Sequence, residues 1–133
     1  MASTRFACCL AVLVALATQS PLRASEAFPF GSELMLDTPP MHGSKRVPML
    51  EIDDNGAAAI DLWCSSVRAQ ATVGDATITI VPGDMAPAQC APERQASDLD
   101  LLATLAQVTA WRRIGEVIEL SGSTTLRFRL MTN

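Results

Sequence analysis

The chain has 133 residues and a formal net charge of −4, with 10 basic against 14 acidic side chains. That length supports one small domain, and a balance without basic surplus argues against nucleic acid or an anionic membrane surface as a partner. A single histidine, His42, leaves few of the usual acid–base or metal-ligand sets open to it.

The chain begins with Arg5 ahead of an unbroken apolar run over residues 6–17. Pro21 breaks the run, and Ser25-Glu26-Ala27 places small residues at the two positions a signal peptidase reads. The expectation is a secretory signal peptide over residues 1–27. Cuts after Ala17 or Ala24 and an uncleaved anchor are the competing readings. The run is too short to span a bilayer, which takes about 20 apolar residues. Cys8 and Cys9 have no apolar run ahead of them and leave with the peptide. Removing 27 of the 133 residues leaves 106, and with Arg5, Arg23 and Glu26 gone the net charge becomes −5. No second long apolar run follows, so the mature protein is expected to be periplasmic or secreted, monomeric, and without a transmembrane segment.

Residues 32–37, "SELMLD", set Leu34 and Leu36 on one side of a strand. Residues 38–48 carry three prolines, Gly43, Lys45 and Arg46 and form a loop. Residues 49–52 then run into Asp53-Asp54-Asn55-Gly56, whose Asn-Gly suits the positive φ angles of a tight hairpin turn, with residues 57–63 returning. Residues 67–73 alternate Val67, Ala69, Ala71 and Val73 with polar neighbours, turn at Gly74-Asp75, and return over 77–81. A second proline-rich loop carries Cys90.

The period then changes. Leu99, Leu102, Ala103 and Ala106 stand at i, i+3, i+4 and i+7, with Pro92 suited to a first helical turn and Glu93 to the positive end of the helix dipole. This predicts one helix over residues 92–107. Strands follow over 108–113, 116–120 and 125–131, the last with Leu126, Phe128 and Leu130 on one face and Arg127 and Arg129 on the other. The sum is an α+β fold: a small antiparallel sheet curled into a partly open β-barrel with one covering helix. Residues 28–48 form an N-terminal strand and Pro-rich loop, and residues 49–133 the main domain.

Cys64 and Cys90 are the only cysteines left after processing. In an exported domain the simplest reading joins them in a disulfide; two buried free thiols are the competing one. A nucleophilic Cys64 wants a histidine base, and His42 lies in a loop far along the sequence. Two cysteines and one histidine also fall short of the four ligands of a structural zinc. Asp53-Asp54 and the pair Asp98 and Asp100 are explained by turn solvation and the helix dipole. Ser65-Ser66 lacks a Gly-x-Ser-x-Gly elbow. No catalytic residue, metal or cofactor is therefore assigned. Trp111, Arg113, Arg127 and Arg129 are a candidate interaction surface on the final meander; cross-strand pairing with Glu116 and Glu119 on a solvated face is the plainer explanation. The basic loop His42 to Arg46 is read as solvated.

The hairpins around the two cysteines, the acidic-led helix and the closing meander "LLATLAQVTAWRRIGEVIELSGSTTLRFRL" resemble the META domain, or HslJ-like heat-shock, family over about residues 49–133. Trp63 and Ser65 stand where that family has Gly and Asn, and "MAPAQC" is longer than its Met-Ala-Cys. The resemblance implies an exported or envelope-associated α+β domain with no known catalytic residues, active in envelope stress. Its fold is similar to that of secretion pilot proteins. The implied function is a non-enzymatic periplasmic binding or interaction module whose partner is an envelope protein or a lipid or acyl ligand. A structural accessory protein, or a small hydrolase or redox enzyme using Cys64, are the alternatives.

Overall fold

A computed structural model describes residues 26–86 and 88–132. The predicted apolar run with Arg5, Cys8 and Cys9 lies outside the described residues.

Among the described residues, period-two alternation produces eight strands. They are β1 (Leu34–Leu36), β2 (Met49–Ile52), β3 (Ala57–Asp61), β4 (Ser66–Val73), β5 (Ile78–Pro82), β6 (Ala110–Ile114), β7 (Val117–Ser121) and β8 (Thr125–Leu130). The helix α1 (Pro92–Leu105) joins β5 to β6. All pairings are antiparallel, in the order β5-β4-β3-β2-β1-β8-β7-β6. The three-residue β1 sits mid-sheet, pairing with both β2 and β8, so it splices the two N-terminal hairpins to the C-terminal meander. The end strands β5 and β6 meet at a single bridge, Thr77 to Ala110. There Ile78 N–H donates to Thr109 C=O at 3.1 Å and Trp111 N–H to Ala76 C=O at 3.0 Å. The result is the partly open barrel with one helix, its seam between β5 and β6.

One face of every strand supplies the core. Leu34, Leu50, Ile52, Ile60, Ile78, Ile80, Ile118, Leu120 and Phe128 are all fully buried. Eight strands enclose just enough room for side chains, and burying each Leu or Ile contributes about 1.5–3 kcal/mol. The interior is thus filled by the protein itself.

Two local expectations change. The helix ends at Leu105 rather than 107, because the β7–β8 turn presses on the chain just beyond it: a Cβ on Gly122 would lie 2.2 Å from Gln107 C=O. Its buried face is also rotated. Asp98, Leu101 and Leu105 point inward, while Leu99 is 57% exposed and Ala103 and Ala106 are open to solvent. The true stripe has helical spacing, but an aspartate stands in it, so counting apolar residues picks the neighbouring face.

The β2–β3 turn is likewise built differently from a turn with two left-handed residues. Only Gly56 has positive φ, at 85°; Asn55 does not. Asp53 Oδ1 instead accepts from Asn55 N–H and Ala57 N–H, both at 2.9 Å. Gly56 is held by two constraints, since an added Cβ would also lie 2.4 Å from Ala71 C=O. Gly56→Ala is therefore expected to cost at least about 2 kcal/mol, combining left-handed strain with a backbone clash. Urea unfolding measures it.

Candidate functional site

The β3–β4 connection is a two-residue loop, Trp63-Cys64, with Leu62 N–H donating to Ser65 C=O at 2.8 Å. Such loops favour residues with positive φ, typically Asn-Gly. Trp63 and Cys64 both keep negative φ, so this turn leans on distant groups. Asp98, with no exposed surface, reaches it from α1. Its carboxylate accepts from Ser65 N–H at 2.8 Å and from Cys64 N–H at 3.2 Å to each oxygen. Amide-to-carboxylate bonds of this kind are among the stronger ones, and they satisfy a charge that burial would otherwise penalise heavily.

Two further tethers hold the same residue. Arg46 Nη1 donates to Cys64 C=O at 3.2 Å, while Nη2 reaches Asp61 and Ser66 Oγ. The sulfur of Cys64 is bonded to that of Cys90, with Cα atoms 6.3 Å apart, inside the span a disulfide bridges. Cys64 is thus fixed through its amide, its carbonyl and its side chain. In the oxidised protein its sulfur is engaged and holds no thiolate for chemistry. Arg46, from the loop read as solvated, is a structural contact of this turn, and His42 stands exposed in the turn before it.

The four residues of the candidate surface do not share one face. Trp111 is buried at 7% exposure, donates from Nε1 to Gly74 C=O at 2.8 Å, and meets Phe28 edge-on with ring centres 5.1 Å apart. Arg113 follows it on the same face of β6. Its Nε donates to Gly115 C=O at 2.8 Å. Arg127 and Arg129 lie on the outer face of β8. Arg127 stands 3.8 Å from Glu119, which also binds Arg112, and Arg129 donates to Asp37 at 2.9 Å. One nearly buried carboxylate, Glu119, thus serves two exposed guanidinium groups, while Glu116 pairs with none of them.

Sequence reasoning explains Asp98 by the helix dipole, and the structure corrects this. Asp98 lies beyond the first turn of α1, is fully buried and accepts from the amides of Cys64 and Ser65. Phe28 carries no reading in the sequence. A signal for Asp98 existed: it stands at i relative to Leu101 at i+3 and Leu105 at i+7, on one stripe of the helix. Among the described residues, no cluster of three His, Cys, Asp or Glu side chains is placed to hold a metal, and no helix is long and apolar enough to cross a membrane.

An antiparallel barrel opened along one seam, clasped by a single crossover helix and carrying one disulfide among the described residues, defines a small α+β domain of the cracked-barrel type. The META domain model matches residues 31–132, and the chain belongs to the META domain family. The match includes β1 and the loop after it, as the central place of β1 in the sheet requires. No curated protein and no solved structure matches the chain.

Removing the clasp and removing the disulfide are separable. Asp98→Ala leaves two inward amides unpaired and is expected to cost about 3 kcal/mol. Asp98→Asn, which keeps one acceptor oxygen but turns a donor toward the second amide, should lose less. Cys64→Ser is expected to cost roughly 3.6 kcal/mol from the loop of about 27 residues that the disulfide closes. Guanidinium unfolding of each variant checks the order, and equal melting of reduced and oxidised protein would rule out the disulfide's role.

Proposed function

We propose that this META-domain protein is an exported, non-catalytic binding or interaction module of the cell envelope, of stress-response type. The observation that carries the reading is the outer edge of β6 beyond Trp111, which pairs with no strand among the described residues and stands beside a sheet face rich in exposed arginine. A strand edge with no neighbour is a ready acceptor for an extended segment of another protein. The disulfide supports an oxidising compartment, and the apolar run before Pro21 supports export. The filled barrel favours a partner bound on the outside over a lipid chain held within.

The test is to express the whole chain with its own N-terminus in an envelope-bearing host. The protein released by osmotic shock is then weighed intact and under native conditions. A mass lacking residues 1–27, two hydrogens light for the disulfide, with a protein partner retained, is expected. Full-length reduced protein in the cytoplasm would contradict export. A processed monomer with nothing bound would favour a structural accessory role, and a fast-reacting thiol at Cys64 would favour an enzyme.

A further inference from the structure

The first described residues lie against the free end of β6. Glu26 Oε2 accepts from Gly115 N–H at 3.2 Å and stands 3.9 Å from Arg113 Nε. Ala27 C=O accepts from Arg113 Nη1 at 3.3 Å. Glu26 is the one acid in ion-pair reach of Arg113 among the described residues. The next residue is of another kind: Phe28 is 6% exposed, belongs to the core cluster, and packs on both Trp111 and Phe30. A pocket of about 320 Å³ sits at this junction, with Phe30, Val73, Gly74 and Asp75 on its walls.

The expected signal-peptide cut falls between Ala27 and Phe28. It divides a segment that stays seated from one that leaves. Phe28 remains in the core because its ring is buried. Glu26 and Ala27 depart, and with them go the carboxylate on Gly115 and Arg113 and the carbonyl on Arg113. The cut also leaves the α-ammonium of Phe28 where Ala27 had been joined, and that group is largely protonated at neutral pH. The spot therefore loses the one acid paired with Arg113 and gains a second positive charge, leaving Asp75 on the pocket wall as its remaining acid, together with a released backbone N–H and the strand edge beyond Trp111.

We propose that processing uncovers a docking site at the end of β6, and that this site binds an extended, carboxylate-bearing segment of a partner protein. This rests on the export reading above, including the cut after Ala27. The nature of the occupant is set by the segment the site already holds: Glu26-Ala27, bonded through one carboxylate and one backbone carbonyl. Arg113 and the Phe28 ammonium would take the carboxylate, Gly115 N–H would donate to it, and the edge of β6 would supply main-chain bonds.

The whole chain is exported by the producing host, and the processed protein is weighed and then titrated with the peptide Ac-Ala-Ser-Glu-Ala-NH2 by calorimetry. The same titration is made with a lysine in place of the glutamate and with the Arg113→Gln protein. The expected result is a mature protein beginning at Phe28 that binds the acidic peptide saturably. Binding should be weaker by roughly tenfold or more in Arg113→Gln, the loss of one charged hydrogen-bonding partner, and absent with the lysine peptide. A protein beginning at Phe28 that does not bind, or binds both peptides or both variants alike, overturns the docking site while leaving export intact. A protein that keeps Glu26 overturns the cut, and with it the vacated site.

Discussion

The fold depends on a buried carboxylate. Asp98 has no exposed surface and its oxygens accept only from the amides of Cys64 and Ser65 among the described residues. An ionised group in such a place is tolerated only when its acceptors are filled. The amides in turn belong to the Trp63-Cys64 turn and to Ser65, the residue that closes it, and the turn lacks the glycine or asparagine that would hold it unaided. Each side therefore requires the other, and their meeting fixes the position of α1 on the barrel. Leu101 and Leu105 enter the core beside it, and the disulfide of Cys64 ties down the loop that leads into the helix.

Placing a helix between β5 and β6 has a consequence for the sheet. The chain leaves β5, crosses through α1 and returns to β6, and among the described residues the seam is held by the Thr77 to Ala110 bridge with its two backbone bonds and by the Trp111 indole bond. Beyond them the outer edge of β6 has no strand neighbour among the described residues, and the segment from Glu26 to Phe30 gathers at its end. The clasp that stabilises the domain thereby also creates the edge at which it can meet another chain.

Much of this is legible in the sequence for physical reasons. Alternation along a pleated strand is a strong signal, so the strands appear close to their observed bounds, and turn residues such as Asn55-Gly56 mark the reversals. The pairing of Cys64 with Cys90 is suggested by an export signal and the shortage of other partners. The hidden features depend on tertiary contact. Asp98 counts as polar and so turns the predicted helix face toward Leu99, because periodicity has no means of knowing which amides a carboxylate will meet. Trp111 stands among arginines and looks superficial in the sequence, yet its ring faces Phe28. Phe28 itself lies in the unpatterned stretch between the predicted cut and the first strand. Glu119 is legible as a pairing acid, but its division between Arg112 and Arg127, the pairing of Arg129 with Asp37, and the absence of Glu116 from these pairs follow only from the strand register.

The most direct measurement is amide hydrogen exchange at Cys64 and Ser65 after the disulfide has been reduced. If Asp98 holds the turn, both amides stay protected to nearly the level of the core strands, since the carboxylate bonds do not need the sulfur link. Exchange of both at the rate of an exposed loop, while β3 and β4 remain protected, would contradict the claim and leave the disulfide as the group that holds the helix to the barrel.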